Sequence, residues 1–368
     1  MKVLVTGSNG FIGKNLIESL NRTEVEIYTF NRENSINELE ESIQKVDFIF
    51  HLAGENRPKN SEEFYRGNKE LTQKIVDLIE KNSKKIPILM TSSIWVGKDN
   101  DYAKSKELAE KIIEKYSIGN KTDCFIYRLP NVFGKWSKPN YNTVIATWCY
   151  NIARDFKIEV NDRNIELNLV YIDDIINTFI QKLNQKEHGS SLYYIVEKVY
   201  KKTLGEIEEL LYQFRDSRKN LLIPHIANGF ERVLYATYLS FLPEDRFSYE
   251  LKGHRDDRGT FYEILKTLDS GQLSISTTKA GITRGNHYHN TKNEKFLVIK
   301  GQALIELRDI FSEEIIQYHV NSDKLEVVEM IPGYTHNITN TGEEEMVLLI
   351  WANENYNPQK PDTNFVEV

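Results

Sequence analysis

Long apolar runs, cysteines and surplus positive charge are scarce in this 368-residue chain, and each scarcity closes off a class of function. No stretch approaches the roughly eighteen consecutive apolar residues of a membrane-spanning helix, so no membrane insertion is expected. The opening MKVLVTGSNGFIG is interrupted by glycines and Asn9 before the apolar segment of a secretory signal can develop, which makes the cytoplasm the expected compartment. Only Cys124 and Cys149 are present, both in apolar settings (DCFIYRL, ATWCYNI), so buried thiols are expected and a disulfide framework is not. A formal charge of −7 leaves no cationic surplus to displace counterions, and nucleic acid is not an expected partner. What is present is an ordinary globular composition, 40% hydrophobic and 27% charged, in a chain long enough to predict two domains.

The two domains have different grammar. Through about residue 243, β-branched runs (KVLVTG, EIYTFN, DFIFHLAG, PILMTSS, DCFIYRL) alternate with charged amphipathic segments, the pattern of βαβ units around a parallel sheet. Leu71, Ile75, Leu78 and Ile79 make one helical stripe, and Leu108, Ile112 and Ile113 another. After FLPEDRFSYELKGHRDDRG the chain turns to short strands punctuated by glycine and asparagine, including QLSIST, KFLVIKG, ALIELRD and MVLLIWA. This predicts an α/β doubly wound domain over 1–243 and an all-β sandwich or barrel over 244–368, with the junction near Pro243.

In the first domain Gly7, Gly10 and Gly13 follow a strand and open a helix, the arrangement that lets backbone approach a pyrophosphate at a helix N-terminus. At the end of the second strand stand Asn31 and Arg32, where an NAD enzyme usually has an acid. Arg32 suits a 2′-phosphate, which favours NADPH over NADH; the alternative is a solvated surface charge. Tyr102 and Lys106 are one helical turn apart, so the lysine can lower the phenol's pKa and hold the cofactor ribose, with Ser93 from the preceding strand end hydrogen-bonding the same carbonyl.

The glycine loop, FHLAG, Tyr102 with Lys106, and VYIDD together resemble the extended short-chain dehydrogenase/reductases, a Rossmann-like family acting mostly on nucleotide sugars. The resemblance implies catalysis by Ser93, Tyr102 and Lys106, with Ser92 as the alternative serine. It implies cofactor contact along the loop at Asn9, Phe11 and Ile12 as well as the glycines, and at Leu52, Ala53 and Gly54. From RLPNVFGKW it implies nucleotide-diphosphate contacts by Asn131 and Lys135; a plain loop is the other reading. The chain departs from the family in the short span between Ser93 and Tyr102 and in an abbreviated strand before DFIFHLAG.

In the second domain His287, His289 and Glu294 lie between Gly281 and Gly301, and His336 lies between Gly333 and Asn340. Residues two apart on a strand face the same side, so both nearby histidines can point into a barrel, and Glu294 can join them from the next strand. Three imidazoles and a carboxylate suit one divalent first-row metal, zinc first. Both spacings resemble the cupins, which implies a jelly-roll barrel. GHRDDRGTFYEIL, with Asp256, Arg258, Gly259, Phe261 and Glu263, is similar to the opening of the cupin-superfamily deoxysugar 3,5-epimerases, though their basic histidine coincides with His287. His254 is therefore the expected epimerase base, with Asp256 and Asp257 nearby to raise its basicity; a solvent-exposed linker histidine is the alternative.

As a whole the chain resembles the bifunctional capsular-polysaccharide enzymes that convert UDP-2-acetamido-2,6-dideoxy-β-L-arabino-hexos-4-ulose to UDP-2-acetamido-2,6-dideoxy-β-L-talose, on a route to N-acetyl-L-fucosamine. The resemblance implies epimerisation at carbon 3 by the cupin, then reduction at carbon 4 with NADPH, in a homodimer. Two other readings stand beside it. One is a 4-ketoreductase with a sugar-sensing or structural cupin; the other is a dehydratase, which usually needs an acid and base pair that TSSIWVG lacks.

Overall fold

The apolar runs at the start of the chain become neighbouring strands. The computed structural model describes residues 1–184 and 191–368. Its first strands are β1 (Lys2–Thr6), β2 (Glu26–Phe30), β3 (Phe48–His51), β4 (Ile88–Ser93), β5 (Cys124–Leu129), β6 (Asn131–Phe133), β7 (Glu166–Tyr171), β8 (Tyr193–Tyr194) and β9 (Tyr200–Thr203). A six-stranded parallel sheet runs β2-β1-β3-β4-β5-β8, and β6-β7-β9 form a separate small sheet. Both faces of the parallel sheet are covered, which is why its strands read as continuous apolar runs. Leu4, Ile49, Ile88 and Ile126 pack on one side, and Val3, Val5, Phe48, Phe50 and Leu89 on the other.

The helices near the site are α1 (Phe11–Leu20), α2 (Ile36–Lys45), α3 (Ser61–Phe64), α4 (Leu71–Lys81) and α5 (Asp101–Asn120), with a π-helical segment, Tyr65–Glu70, between α3 and α4. From β2 the chain passes through α2 alone to β3, with no intervening strand. The order of strands reverses between β1 and β3, so their carboxyl ends open the crevice where doubly wound folds bind ligands.

Two deviations from the periodicity are informative. The stretch read as one helix from Phe64 onward contains the π segment. In α5 the buried face runs through Ala103, Lys106, Ala109, Glu110, Ile113 and Tyr116, leaving Leu108 and Ile112 only half-buried. A hydrophobic stripe cannot reveal a face that buries a lysine and a glutamate.

The remaining strands are β10 (Leu222–Ile223), β11 (Gly253–Asp256), β12 (Gly259–Thr267), β13 (Gln272–Thr278), β14 (Thr283–Tyr288), β15 (Glu294–Lys300), β16 (Gln302–Asp309), β17 (Ile315–Asn321), β18 (Val327–Met330), β19 (Tyr334–Asn340), β20 (Met346–Ala352) and β21 (Asn364–Phe365). One sheet runs β10-β12-β13-β20-β15-β18 with β11 paired to β12, the other β17-β16-β19-β14-β21. Phe296, Val298, Met346 and Leu348 of the first meet Ile305, Leu307 and Ile338 of the second in one core, so the sheets pack face to face. The chain divides into Met1–Leu211 with Asn228–Pro243, and Tyr212–Ala227 with Glu244–Val368. Pro243 thus closes the first unit, but an earlier excursion, Tyr212–Ala227, belongs with the second. There the two residues of β10, too few to show alternation in the sequence, pair in parallel with Lys266 and Thr267.

Candidate active sites

The loop from β1 to α1 is shaped for close backbone approach. Gly7 adopts φ +68°, and a Cβ there would lie 2.8 Å from the backbone of Ala53, so the first glycine lets the Leu52–Gly54 turn pack against the loop. Gly10 is the N-cap of α1 and supplies no side-chain cap, leaving the first-turn N–H groups, through Phe11, Ile12 and Gly13, available to an anion. Asn31 braces this loop: its Oδ1 accepts from Asn9 N at 3.0 Å and its Nδ2 donates to Ser8 Oγ at 2.8 Å. Arg32 is largely exposed and forms an ion pair with the mostly buried Glu55.

Beside this crevice lie Ser93 at the end of β4 and Tyr102 and Lys106 on α5. The two serines have different partners. Ser92 Oγ donates to Glu110 Oε1 at 2.5 Å, and Glu110 also holds Arg128 through two hydrogen bonds of 2.9 and 2.5 Å. Ser93 Oγ instead accepts from Trp95 N at 3.2 Å and acts on the Tyr102 phenol. Lys106, expected from its spacing to lower that phenol's pKa, is not among the groups that act on it. Burial raises the Tyr102 phenol, and Ser93 provides the opposing pull. Lys106 is itself pushed down to about 8 by burial, against the opposing charge of Glu110, and its Nζ donates to Thr91 O at 3.2 Å. A Cβ on Gly54 would lie 2.8 Å from Lys106 Nζ, so glycine there brings the Leu52–Gly54 turn to the lysine.

Sequence reasoning missed Asn68 and His51. Asn68, in the π segment, accepts from Glu55 N at 2.9 Å and donates to Glu55 O at 3.0 Å and Ser105 Oγ at 2.9 Å, tying the end of the Leu52–Glu55 turn to α5. Such single π turns recur at functional sites, but a six-residue π segment has no composition signal. Thr6 Oγ1 accepts from Ala53 N at 3.2 Å and lies 2.8 Å from His51 Nδ1, while His51 Nε2 lies 2.9 Å from Thr72 Oγ1. Burial, with Lys106 nearby, lowers His51 to about 3, so it is a neutral structural bridge. The RLPNVFGKW stretch, Arg128 to Trp136, is less gathered. Asn131 Nδ2 donates to Asn168 O at 3.3 Å, and Lys135 Nζ is paired with Asp173 Oδ1 at 2.6 Å.

In the second unit the four predicted ligands converge. A bulge in β14 at Asn286 (φ +58°) places His287 opposite His336 of β19, and Glu294 opens β15 from the facing sheet. Their donor atoms all lie within 4.8 Å of one another. Glu294 Oε2 is 3.5 Å from His289 Nε2 and 3.7 Å from His336 Nε2. Both Nε2 atoms are buried without a hydrogen-bond partner. Donors 2.0–2.1 Å from a tetrahedral ion stand about 3.4 Å apart, so the two Glu294 separations suit one divalent ion, with the whole set inside 4.8 Å. Burial, then His336 and His289, push His287 down to about 4. Burial alone would raise Glu294, but His289, His336 and Lys292 hold it well below the usual carboxylate range. At neutral pH this is a neutral imidazole beside an ionised carboxylate, the ligand-competent state. Asn340, in the second spacing, is structural: its Nδ2 donates to Thr278 O and Glu344 O, both at 2.8 Å.

His254 lies exposed on β11 opposite Phe261 and is not among the four clustered residues. Asp256, expected to act on His254, is held elsewhere. Arg258 takes the Asp256 carboxylate through Nε at 3.0 Å and Nη2 at 2.6 Å, with Arg284 Nη2 at 3.4 Å, and hydrogen bonding from Arg258, against some desolvation, lowers Asp256 to about 2. Arg284, also unforeseen, is mostly buried with its Nε unpartnered.

Comparison with known proteins adds the following. Residues 3–195 match the NAD dependent epimerase/dehydratase family, and residues 254–364 match the polysaccharide biosynthesis C-terminal domain. The chain is 50% identical over 367 residues, 99% of its length and 98% of the relative's, to UDP-2-acetamido-2,6-beta-L-arabino-hexul-4-ose reductase of Pseudomonas aeruginosa. The capsular polysaccharide assembling protein CapF from Staphylococcus aureus is 47% identical, with a TM-score of 0.94 covering 100% of both chains. UDP-glucose 4-epimerase from Thermotoga maritima, 16% identical, covers 66% of this chain and 98% of its own with a TM-score of 0.56, a likeness of fold alone. Among the described residues no helix is long and apolar enough to cross a membrane.

Proposed function

As the chain belongs to the NAD dependent epimerase/dehydratase family and to that of the UDP-hexulose reductase it matches along 99% of its length, its reductase unit acts on a nucleotide sugar with a nicotinamide cofactor, and we propose that it carries out two steps. The β unit, read as a metal-binding cupin, inverts carbon 3 of UDP-2-acetamido-2,6-dideoxy-β-L-arabino-hexos-4-ulose. The reductase unit then reduces carbon 4, giving UDP-2-acetamido-2,6-dideoxy-β-L-talose for capsular polysaccharide. The order follows from chemistry: the hydrogen on carbon 3 is acidic only while carbon 4 is a ketone. The observation that carries the second activity is the four-residue cluster of His287, His289, Glu294 and His336, a chemically complete site that ketone reduction does not need.

In the reductase unit NADPH supplies the hydride. Tyr102 donates its phenolic proton to the oxygen on carbon 4, Ser93 holds that oxygen, and Lys106 binds the ribose beside Gly54. Asn131 and Lys135 are proposed diphosphate contacts, Lys135 exchanging Asp173 for the ligand. In the β unit an ion held by the cluster, zinc by its ligand set, supplies either Lewis acidity at the ketone oxygen or a tie between strands.

Arg32 is the proposed reader of the 2′-phosphate. Arg32→Ala is expected to weaken NADPH binding by about tenfold or more, the scale of a lost charge-assisted hydrogen bond, and to leave NADH nearly unchanged. Titration of both cofactors tests this, and equal weakening removes Arg32 from the cofactor site.

Incubating the ketosugar with the full chain in heavy water without NADPH separates an epimerase from a reductase with a sugar-sensing β unit, since an epimerase alone exchanges the carbon 3 hydrogen. His254 is the proposed base. His254→Asn is expected to lose that exchange by about 10²–10⁴-fold while keeping the metal and the reduction of pre-epimerised sugar. Wild-type exchange in the variant would move the role to Asp256, Glu263 or Tyr334.

A further inference from the structure

Residues 362–368 are woven against β14, the strand that carries His287 and leads directly into His289. β14 would be the edge of its sheet without β21, whose Asn364 and Phe365 pair with Tyr288 and His287. The same segment holds the β14 bulge: Asn286 O accepts from Val366 N at 3.1 Å, and Asn286 Oδ1 accepts from Val368 N at 3.4 Å.

One residue of the segment holds His289 and the first three residues of the loop that joins it to Glu294. Asp362 O lies 2.5 Å from His289 Nδ1. A carbonyl only accepts, so Nδ1 carries the proton and Nε2, buried and unpartnered, presents its lone pair toward Glu294 and His336. The Asp362 carboxylate accepts the backbone N–H groups of Asn290 (3.0 Å), Thr291 (2.7 Å) and Lys292 (2.9 Å), together with Asn290 Nδ2 (3.0 Å) and Thr291 Oγ1 (3.2 Å). Three successive amides converging on one carboxylate set the backbone of that loop, and hence the spacing of the two ligands it connects.

We infer that Asp362 is the positioning residue of the metal cluster, its carbonyl setting the tautomer and orientation of His289 and its carboxylate setting the His289-to-Glu294 loop. The inference rests on the metal reading above. It adds that the cluster is preformed by a residue about seventy positions away that belongs to neither histidine spacing. Outer partners of this kind typically change metal affinity about 10–100-fold.

The test uses the full chain. Zinc affinity is measured by competition with a chromophoric chelator, coordination by the visible spectrum of bound Co²⁺, and backbone order by amide hydrogen exchange. Asp362→Asn turns one acceptor oxygen into an NH₂ group facing N–H donors. The expected result is zinc binding weakened about 10–100-fold and an altered cobalt spectrum. Protection should fall at Asn290, Thr291 and Lys292 but persist in β16, β19 and β20. A folded variant with wild-type zinc affinity and cobalt spectrum overturns the inference, whatever its melting temperature. If Asp362→Asn loses protection throughout the β unit, Asp362→Glu decides in the same way: weaker zinc supports positioning and equal affinity overturns it. A wild-type chain that binds neither metal overturns the metal reading and this inference with it, an outcome distinct from a loss confined to the variant.

Discussion

Tyr102→Phe is expected to slow reduction of the carbon 4 ketone by about 10²–10⁴-fold, the usual contribution of a positioned general acid, while leaving hydrogen exchange at carbon 3 at the wild-type rate. The phenol is held protonated at neutral pH because burial raises its pKa and Ser93 only partly opposes this, so it is poised to donate. Phenylalanine keeps the ring that packs against Phe64 at a centroid distance of 5.7 Å, so the loss falls on the proton and not on the packing of α5. The measurement is NADPH consumption with the pre-epimerised ketosugar, alongside exchange in heavy water. Wild-type turnover in the variant would remove Tyr102 from the chemistry. Loss of both activities would point to a folding defect, which circular dichroism would reveal.

Stripping the metal from the full chain has the second large expected effect. The purified protein should contain about one zinc per chain, from the four-ligand count. Without an ion the buried Nε2 atoms of His289 and His336 have no partner, and each unsatisfied group costs about 1–3 kcal/mol. By linkage, an ion present at 1,000 times its dissociation constant contributes about 4 kcal/mol, so a chelator should lower the melting temperature of the β unit by on the order of 10 °C. If the ion acts in catalysis, exchange at carbon 3 should stop at temperatures where the unit is still folded; if it only ties strands, exchange should fail together with the fold. Absence of metal both in the native protein and after refolding with zinc would sink the site.

The parts of this molecule legible in its sequence are those set by local repeats. Gly7, Gly10 and Gly13 follow from the tight turn between a strand and a helix, Tyr102 and Lys106 from the helical period, and His287 and His289 from the strand period of two. Each relation involves neighbours along the chain, so spacing alone carries it. The tertiary structure decided the rest. It gave Ser92 to Glu110, set Ser93 against the effect of burial on the Tyr102 phenol, turned Lys106 to Thr91 O, committed Asp256 to Arg258, and recruited Asn68 and His51 to brace the Leu52–Glu55 turn. It also brought Asp362 to His289 and β10 to β12. These pairings join residues far apart in the chain, through burial and hydrogen bonds that exist only once the sheets have assembled. The sequence by itself therefore determined which side chains local spacing brings together, and the fold decided which groups orient them, because orientation depends on long-range contacts that no local period encodes.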